Sequence, residues 1–127
     1  KKIKEYQLDN YVLVMGKKND VENYYQIMDC MILPSLFEGL PMVGVEAQCS
    51  GVPVLFSDKI TQEIGTDFSA YLALNDSAEK WAKKALQLAI NRYDRQECRY
   101  IMEKKGFDIV KEALKVENIY MEIEKGK

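Results

Sequence analysis

Before residue 75 the apolar positions come in short unbroken runs, and after it they recur three and four residues apart. The runs are Tyr11–Met15, Cys30–Pro34, Val52–Phe56 and Ala70–Leu74. Runs of this length without polar alternation suit strands buried on both faces of a parallel sheet. Gly16 closes the first run, and Lys17–Asp20 is a polar loop. Asp20 is placed to cap a helix over Val21–Met28, with Tyr24, Ile27 and Met28 on one face. A second helix is expected over Pro41–Ser50. Pro41 suits its first position, and Gly51 suits the left-handed residue just past its end. Ser57–Gly65 reads as a loop holding a short helix. Ser77 then caps a helix reaching about residue 92. Lys80 stands where a capping box would want Glu, so Glu79 supports that terminus through the helix dipole. Trp81, Ala85, Leu88 and Ala89 form its core-facing stripe. Two more helices follow, Arg95–Lys105 and Asp108–Ile123, parted by Gly106. Strand–helix alternation through four strands predicts an α/β fold with a parallel sheet flanked by helices and a helical C-terminus over 77–127. With no repeat and no Pro/Gly-rich linker, residues 1–127 read as one domain.

Length and composition narrow the function classes. The 127 residues are 47% hydrophobic and 30% charged, with a net charge of −2. This is enough for one core and gives no footprint for a nucleic-acid partner. No apolar run approaches the ~20 residues that span a bilayer, and no signal peptide precedes the first expected strand, so a cytoplasmic setting is expected. Cys30, Cys49 and Cys98 are odd in number and lack ligand spacing, so they read as free, buried thiols. No histidine occurs, which removes the commonest general base and metal ligand; neither a metal nor a cofactor is implied. The chain opens on Lys1-Lys2 rather than Met, as an excised domain or a processed N-terminus would.

The stretch Leu33–Pro53, LPSLFEGLPMVGVEAQCSGVP, holds two carboxylates, Glu38 and Glu46, inside otherwise apolar sequence. In open parallel sheets ligands bind outside the carboxyl ends of the strands, and the loop Ser35–Leu40 lies there. It leads into a helix whose first amides have no internal partner. The N–H groups of Met42 and Val43, with the positive end of the helix dipole, can hold an anion. Gly39 lets a ligand approach the backbone. Glu46 stands only ~7–8 Å along the axis from the helix start, so the two carboxylates flank that terminus. Carboxylates accept hydrogen bonds from hydroxyls. A ligand with phosphate at its middle and hydroxyls at both ends, a nucleotide sugar, fits this arrangement. A solvated role for both glutamates is the alternative. Gly44 and Ala47 are small and would let the helix lie close on the sheet.

The segment FEGLPMVGVEAQCSGVPVLFSD resembles the signature of the family 4 (group 1) retaining glycosyltransferases of the GT-B fold. Their E-x7-E pattern and following G-x-P-V are met by Glu38, Glu46, Gly51, Pro53 and Val54. The preceding VLVMGKKNDVENYYQIMDCMILPS matches the family's order of strand, Gly, loop, helix and PS, and the likeness covers roughly residues 8–90. It implies a Rossmann-like domain, the C-terminal half of a GT-B fold. It further implies that Glu46 accepts from the donor's ribose hydroxyls, and that Glu38 is the catalytic candidate beside the transferred sugar. The backbone of Gly39, Leu40, Pro41, Met42 and Val43 would meet sugar hydroxyls and phosphate, and the loop from Lys17 to Val21 would meet the base. The side chains of Lys17 and Lys18 suit solvated loop charges better than phosphate ligands. Glu63 stands as either a loop support near the diphosphate or a surface charge. UDP is the implied nucleotide, and surface polysaccharide assembly (exopolysaccharide or capsule) is the implied setting.

The departures from that pattern matter too. The family's earlier strands, which carry an Arg and a Lys against the diphosphate, find no match here. The acceptor-binding half with its usual histidine finds none either. The expected partners are a nucleotide-sugar donor and a glycan or lipid-linked acceptor held by that other half, with peripheral association of the parent at the inner membrane face. The chain alone is expected to be inactive. A non-catalytic α/β module binding a nucleotide or a protein is the alternative. Trp81, Leu88, Tyr93, Tyr100 and Phe107 read as core or interdomain packing, and part of Asp108–Glu122 as an exposed apolar stripe meeting the other half.

Overall fold

The computed structural model describes residues 1–126. After a single helical turn, α1 (Lys2–Glu5), the elements are α2 (Val21–Tyr25), β1 (Met31–Leu33), α3 (Met42–Cys49), β2 (Val54–Ser57), a 3-10 turn at Gln62–Ile64, β3 (Ser69–Leu72), α4 (Ala78–Ile90), α5 (Arg95–Lys104) and α6 (Ile109–Lys125). The three strands are parallel in the order β1-β2-β3, with Ile32 opposite Leu55 and Leu55 opposite Ala70. The expected α/β class with a parallel sheet, flanking helices and a helical C-terminus is what the chain forms.

Four strands were expected and three are present among the described residues. Tyr11–Met15 is not a strand; Tyr11, Leu13 and Val14 are 83, 79 and 81% exposed. The sheet explains why. Among the described residues it holds only β1, β2 and β3, so strand propensity at 11–15 finds no ladder to join.

β2 is the centre of the sheet and every residue of it is buried. β1 is more open than its unbroken apolar run suggests, with Ile32 46% exposed in a shallow groove beside Trp81 of α4. α2 is also shorter than expected. Its buried residue is Tyr25, not the Tyr24, Ile27 and Met28 face; Ile27 is 79% exposed, and Asp20 makes no side-chain cap. In a five-residue helix a single anchor decides which side faces inward.

α3 matches its expected span within a residue, with Pro41 as N-cap rather than first helical residue. Its end is a Schellman arrangement: Gly51 N–H donates to Gln48 O and Val52 N–H to Ala47 O, with Gly51 at φ +75. Val45 and Ala47 turn into a core cluster with Val52, Val54, Phe56, Ile64 and, from α5, Met102. Gly44 lies against Phe56 so closely that a Cβ there would sit 2.7 Å from Phe56 Cε1. Gln48 is fully buried. Its Nε2 donates to Gly44 O (3.1 Å) and Ile64 O (2.9 Å), and its Oε1 accepts from Thr66 Oγ1 (2.7 Å). The amide thus ties α3 to the loop after β2.

Ser77 caps α4 by accepting from Lys80 N–H, while the Lys80 ammonium pairs with Asp76. The stripe Trp81, Ala85, Leu88 and Ala89 faces inward as expected. Tyr93 packs against Phe68, with ring centroids 5.3 Å apart. Tyr100 does not join the core; it is mostly exposed and lies under the Lys104 ammonium. Of the three free thiols only Cys98 is buried; Cys30 and Cys49 are partly exposed. α6 buries no residue, and its apolar side chains, among them Ile109, Leu114, Val116 and Tyr120, stand in the open.

Candidate functional site

The carboxyl ends of β1 and β2 fall on one edge of the sheet because the strands are parallel. A chain of hydrogen bonds shapes the loop there. Lys59 N–H donates to Ser57 Oγ (3.3 Å), Ser57 Oγ donates to Ser35 O (2.6 Å), and Ser35 Oγ donates to Glu38 Oε1 (2.9 Å). Ser57 is fully buried at the end of β2, so the loop after β1 is fixed from inside the fold. Glu38 is half-buried with one oxygen held; its neighbours Leu36 and Phe37 are exposed.

The loop delivers the chain into α3. Pro41 has no N–H to offer and makes no side-chain cap, and the first ladder bonds come from Gly44 and Val45 to Pro41 O. The N–H groups of Met42 and Val43 stay outside the ladder, and no acidic side chain occupies the first turn. This leaves the positive end of the dipole without a side-chain cap. Leu40, Met42 and Val43 are exposed along the approach. A Cβ at Gly39 would meet nothing within 4 Å, and Gly39 does not need a left-handed backbone. Neither packing nor dihedral strain requires glycine there, and the space its missing side chain leaves is open to solvent.

Glu46 lies on the exposed side of α3. Its Oε2 accepts a hydrogen bond from Tyr25 OH at 3.0 Å, and Tyr25 OH also lies 3.4 Å from Val43 O. Burial, reinforced by the Glu46 carboxylate, pushes the Tyr25 phenol up to about 12. It therefore stays a protonated donor at any physiological pH.

The structure gathers Glu38, Gly39, Leu40, Pro41, Met42, Val43 and Glu46 around one helix start. Val21 joins them indirectly, one turn before Tyr25 on α2. Lys17 does not. It sits in the exposed irregular segment before α2 and makes no hydrogen bond or ion pair among the described residues. Glu63 is exposed, and only its backbone is engaged, with Thr61 Oγ1. Tyr25 and Ser57 support the two carboxylates but were not legible in the sequence, whereas Ser35 belongs to the PS of the matched pattern. Ser57, like Ser35, follows an apolar run at a strand end, which is the one signal that marks it. No group of three or more His, Cys, Asp or Glu side chains could hold a metal among the described residues. No described helix is long and apolar enough to cross a membrane.

The comparisons with known proteins agree on one family. The model described as "Glycosyl transferases group 1" matches residues 1–105. A putative glycosyltransferase EpsF of Bacillus subtilis is 32% identical over 112 residues, which cover 86% of this chain and 29% of that protein. The UDP-Gal:alpha-D-GlcNAc-diphosphoundecaprenol alpha-1,3-galactosyltransferase of Escherichia coli is 26% identical over 121 residues, 91% of this chain and 31% of that protein. An uncharacterized glycosyltransferase of Haemophilus influenzae is 31% identical over 91 residues, 69% of this chain and 26% of that protein. The chain thus spans less than a third of the length of these relatives.

Proposed function

The chain belongs to the group 1 glycosyltransferases, and from that premise we propose that it is the donor-binding part of a retaining hexosyltransferase. The donor is a nucleotide sugar, with UDP as the nucleotide, and the product enters surface polysaccharide. One observation carries the reading: two carboxylates flank the uncapped start of α3 at the carboxyl edge of a parallel sheet. A diphosphate at the Met42 and Val43 amides would be met by the dipole, with hydroxyls to either side for Glu38 and Glu46. Glu46 takes the ribose and Glu38 the transferred sugar, where its charge favours oxocarbenium character as the diphosphate leaves. Among the relatives, the Escherichia coli enzyme is named for a UDP-sugar donor and a lipid-linked acceptor, which supports UDP and an acceptor of that kind. The exposed stripe on α6 would pack on the acceptor-binding half.

One observation favours the competing reading of a non-catalytic binding module. No Lys or Arg occurs in the stretch from Ser35 to Cys49 that forms the loop and α3. A transferase needs cations against the departing diphosphate. A radiolabelled transfer assay separates the two. The longest gene product containing this sequence is expected to move a hexosyl unit from a UDP-sugar to a lipid-linked acceptor, while the 127-residue chain alone shows none above buffer. Transfer by the short chain would refute the division of labour, and none by the long form would favour the binding module.

A further inference from the structure

The Glu46 carboxylate has two oxygens, and the fold engages one of them. Oε2 accepts from the Tyr25 hydroxyl, whereas no donor among the described residues reaches Oε1. The two partners differ in freedom. Tyr25 is 3% exposed and part of the core cluster with Val45 and Ala47, so its ring and hydroxyl oxygen are fixed in place. Glu46 is exposed and carries a flexible stem. A fixed donor on a flexible acceptor decides where that acceptor points. We propose that Tyr25 is a positioning residue for Glu46: the buried phenol holds Oε2 and leaves Oε1 aimed outward for a ribose hydroxyl of the donor nucleotide. The proposal rests on the reading of Glu46 as the ribose acceptor. Its content is the ligand preference that follows: Tyr25, which never touches the ligand, sets how strongly the site selects nucleotides bearing ribose hydroxyls.

Two further facts fit this role. The raised phenol keeps its proton across the working pH range, so the bond does not switch off. Tyr25 also seats the five-residue α2 against α3 at the carboxylate. Pre-organising a single long side chain is worth about two- to tenfold in affinity.

The test compares calorimetric affinities for UDP and 2′,3′-dideoxy-UDP in the longest gene product containing this sequence. Wild type is expected to favour UDP. Tyr25→Phe is expected to weaken UDP binding about three- to tenfold, to leave the dideoxy ligand unchanged, and to have no further effect in a Glu46→Ala background. Equal weakening of both ligands, or an effect that persists without Glu46, would overturn the positioning role and leave Tyr25 as packing alone. A wild type indifferent to the ribose hydroxyls would instead overturn the reading of Glu46, and the role with it. A second measurement does not depend on Tyr25→Phe folding. The Tyr25 hydroxyl proton of wild type should exchange slowly in NMR spectra and be lost from them in Glu46→Ala. Rapid exchange in wild type would show that the bond is not held.

Discussion

Gly44→Ala is expected to destabilise the fold by up to about 2 kcal/mol, although helix propensity alone would make it stabilising by about 1 kcal/mol. The sign reverses because of where the helix lies. A Cβ at this position would stand 2.7 Å from Phe56 Cε1 and 3.0 Å from Cζ. Phe56 cannot yield easily, since it is fully buried and stacked on Tyr71 with centroids 5.2 Å apart. Overpacking of this kind costs about 1–3 kcal/mol, which matches or exceeds the gain in propensity. Gly44→Leu should cost about 3 kcal/mol or more on the same basis, a large part of the roughly 5–15 kcal/mol that holds a domain together. Thermal unfolding followed by circular dichroism reads both variants. An Ala variant that melts above wild type would mean that α3 rides higher on β2 than the structure places it. The effect would reach function as well, because α3 carries Glu46 and the open amides of Met42 and Val43.

Glu38→Gln in the longest gene product is expected to lower kcat about 10²- to 10³-fold with little change in KM. Removing one group aimed at developing charge costs about that much in other enzymes. The substitution is conservative for the fold. Ser35 Oγ can donate to the carbonyl oxygen of the introduced amide as it does to Glu38 Oε1, and the site is half exposed. The melting temperature should therefore stay within about 2 °C of wild type. A kcat within threefold of wild type would remove Glu38 from the chemistry and leave it as a support of the loop. A large rise in KM with kcat unchanged would make it a ground-state contact with the sugar instead.

What the sequence made legible follows the reach of each signal. Val52–Phe56 reads as a buried central strand because it is apolar at every position, and β2 is buried throughout. Pro41 and Gly51 bracket α3 because each has a local backbone preference that needs no tertiary partner. Glu38 and Glu46 stood out because charge within an apolar stretch is conspicuous. Tyr11–Met15 failed for the opposite reason. Its composition suits a strand, but a strand also needs a neighbour, and the described sheet puts none beside it here. Tyr25 was hidden by its neighbour: the periodic spacing singled out Tyr24, Ile27 and Met28, whereas a helix of five residues obeys its one buried contact. Gln48 was hidden by its chemistry. A polar residue on a helix reads as surface unless its partners are known, and those partners, Ile64 O and Thr66 Oγ1, lie 16 and 18 residues away.

The central claim, that the start of α3 between Glu38 and Glu46 holds a nucleotide diphosphate with Glu46 on the ribose, is tested most directly by calorimetric titration with UDP. Wild type and Glu46→Ala are compared in both the 127-residue chain and the longest gene product containing it. Loss of a charged acceptor costs about 1.5–3 kcal/mol, so Glu46→Ala should bind UDP at least about tenfold more weakly. In the short chain wild-type binding is expected to reach at best the millimolar range. A folded long form that binds no UDP, or binds it equally well without Glu46, would contradict the account.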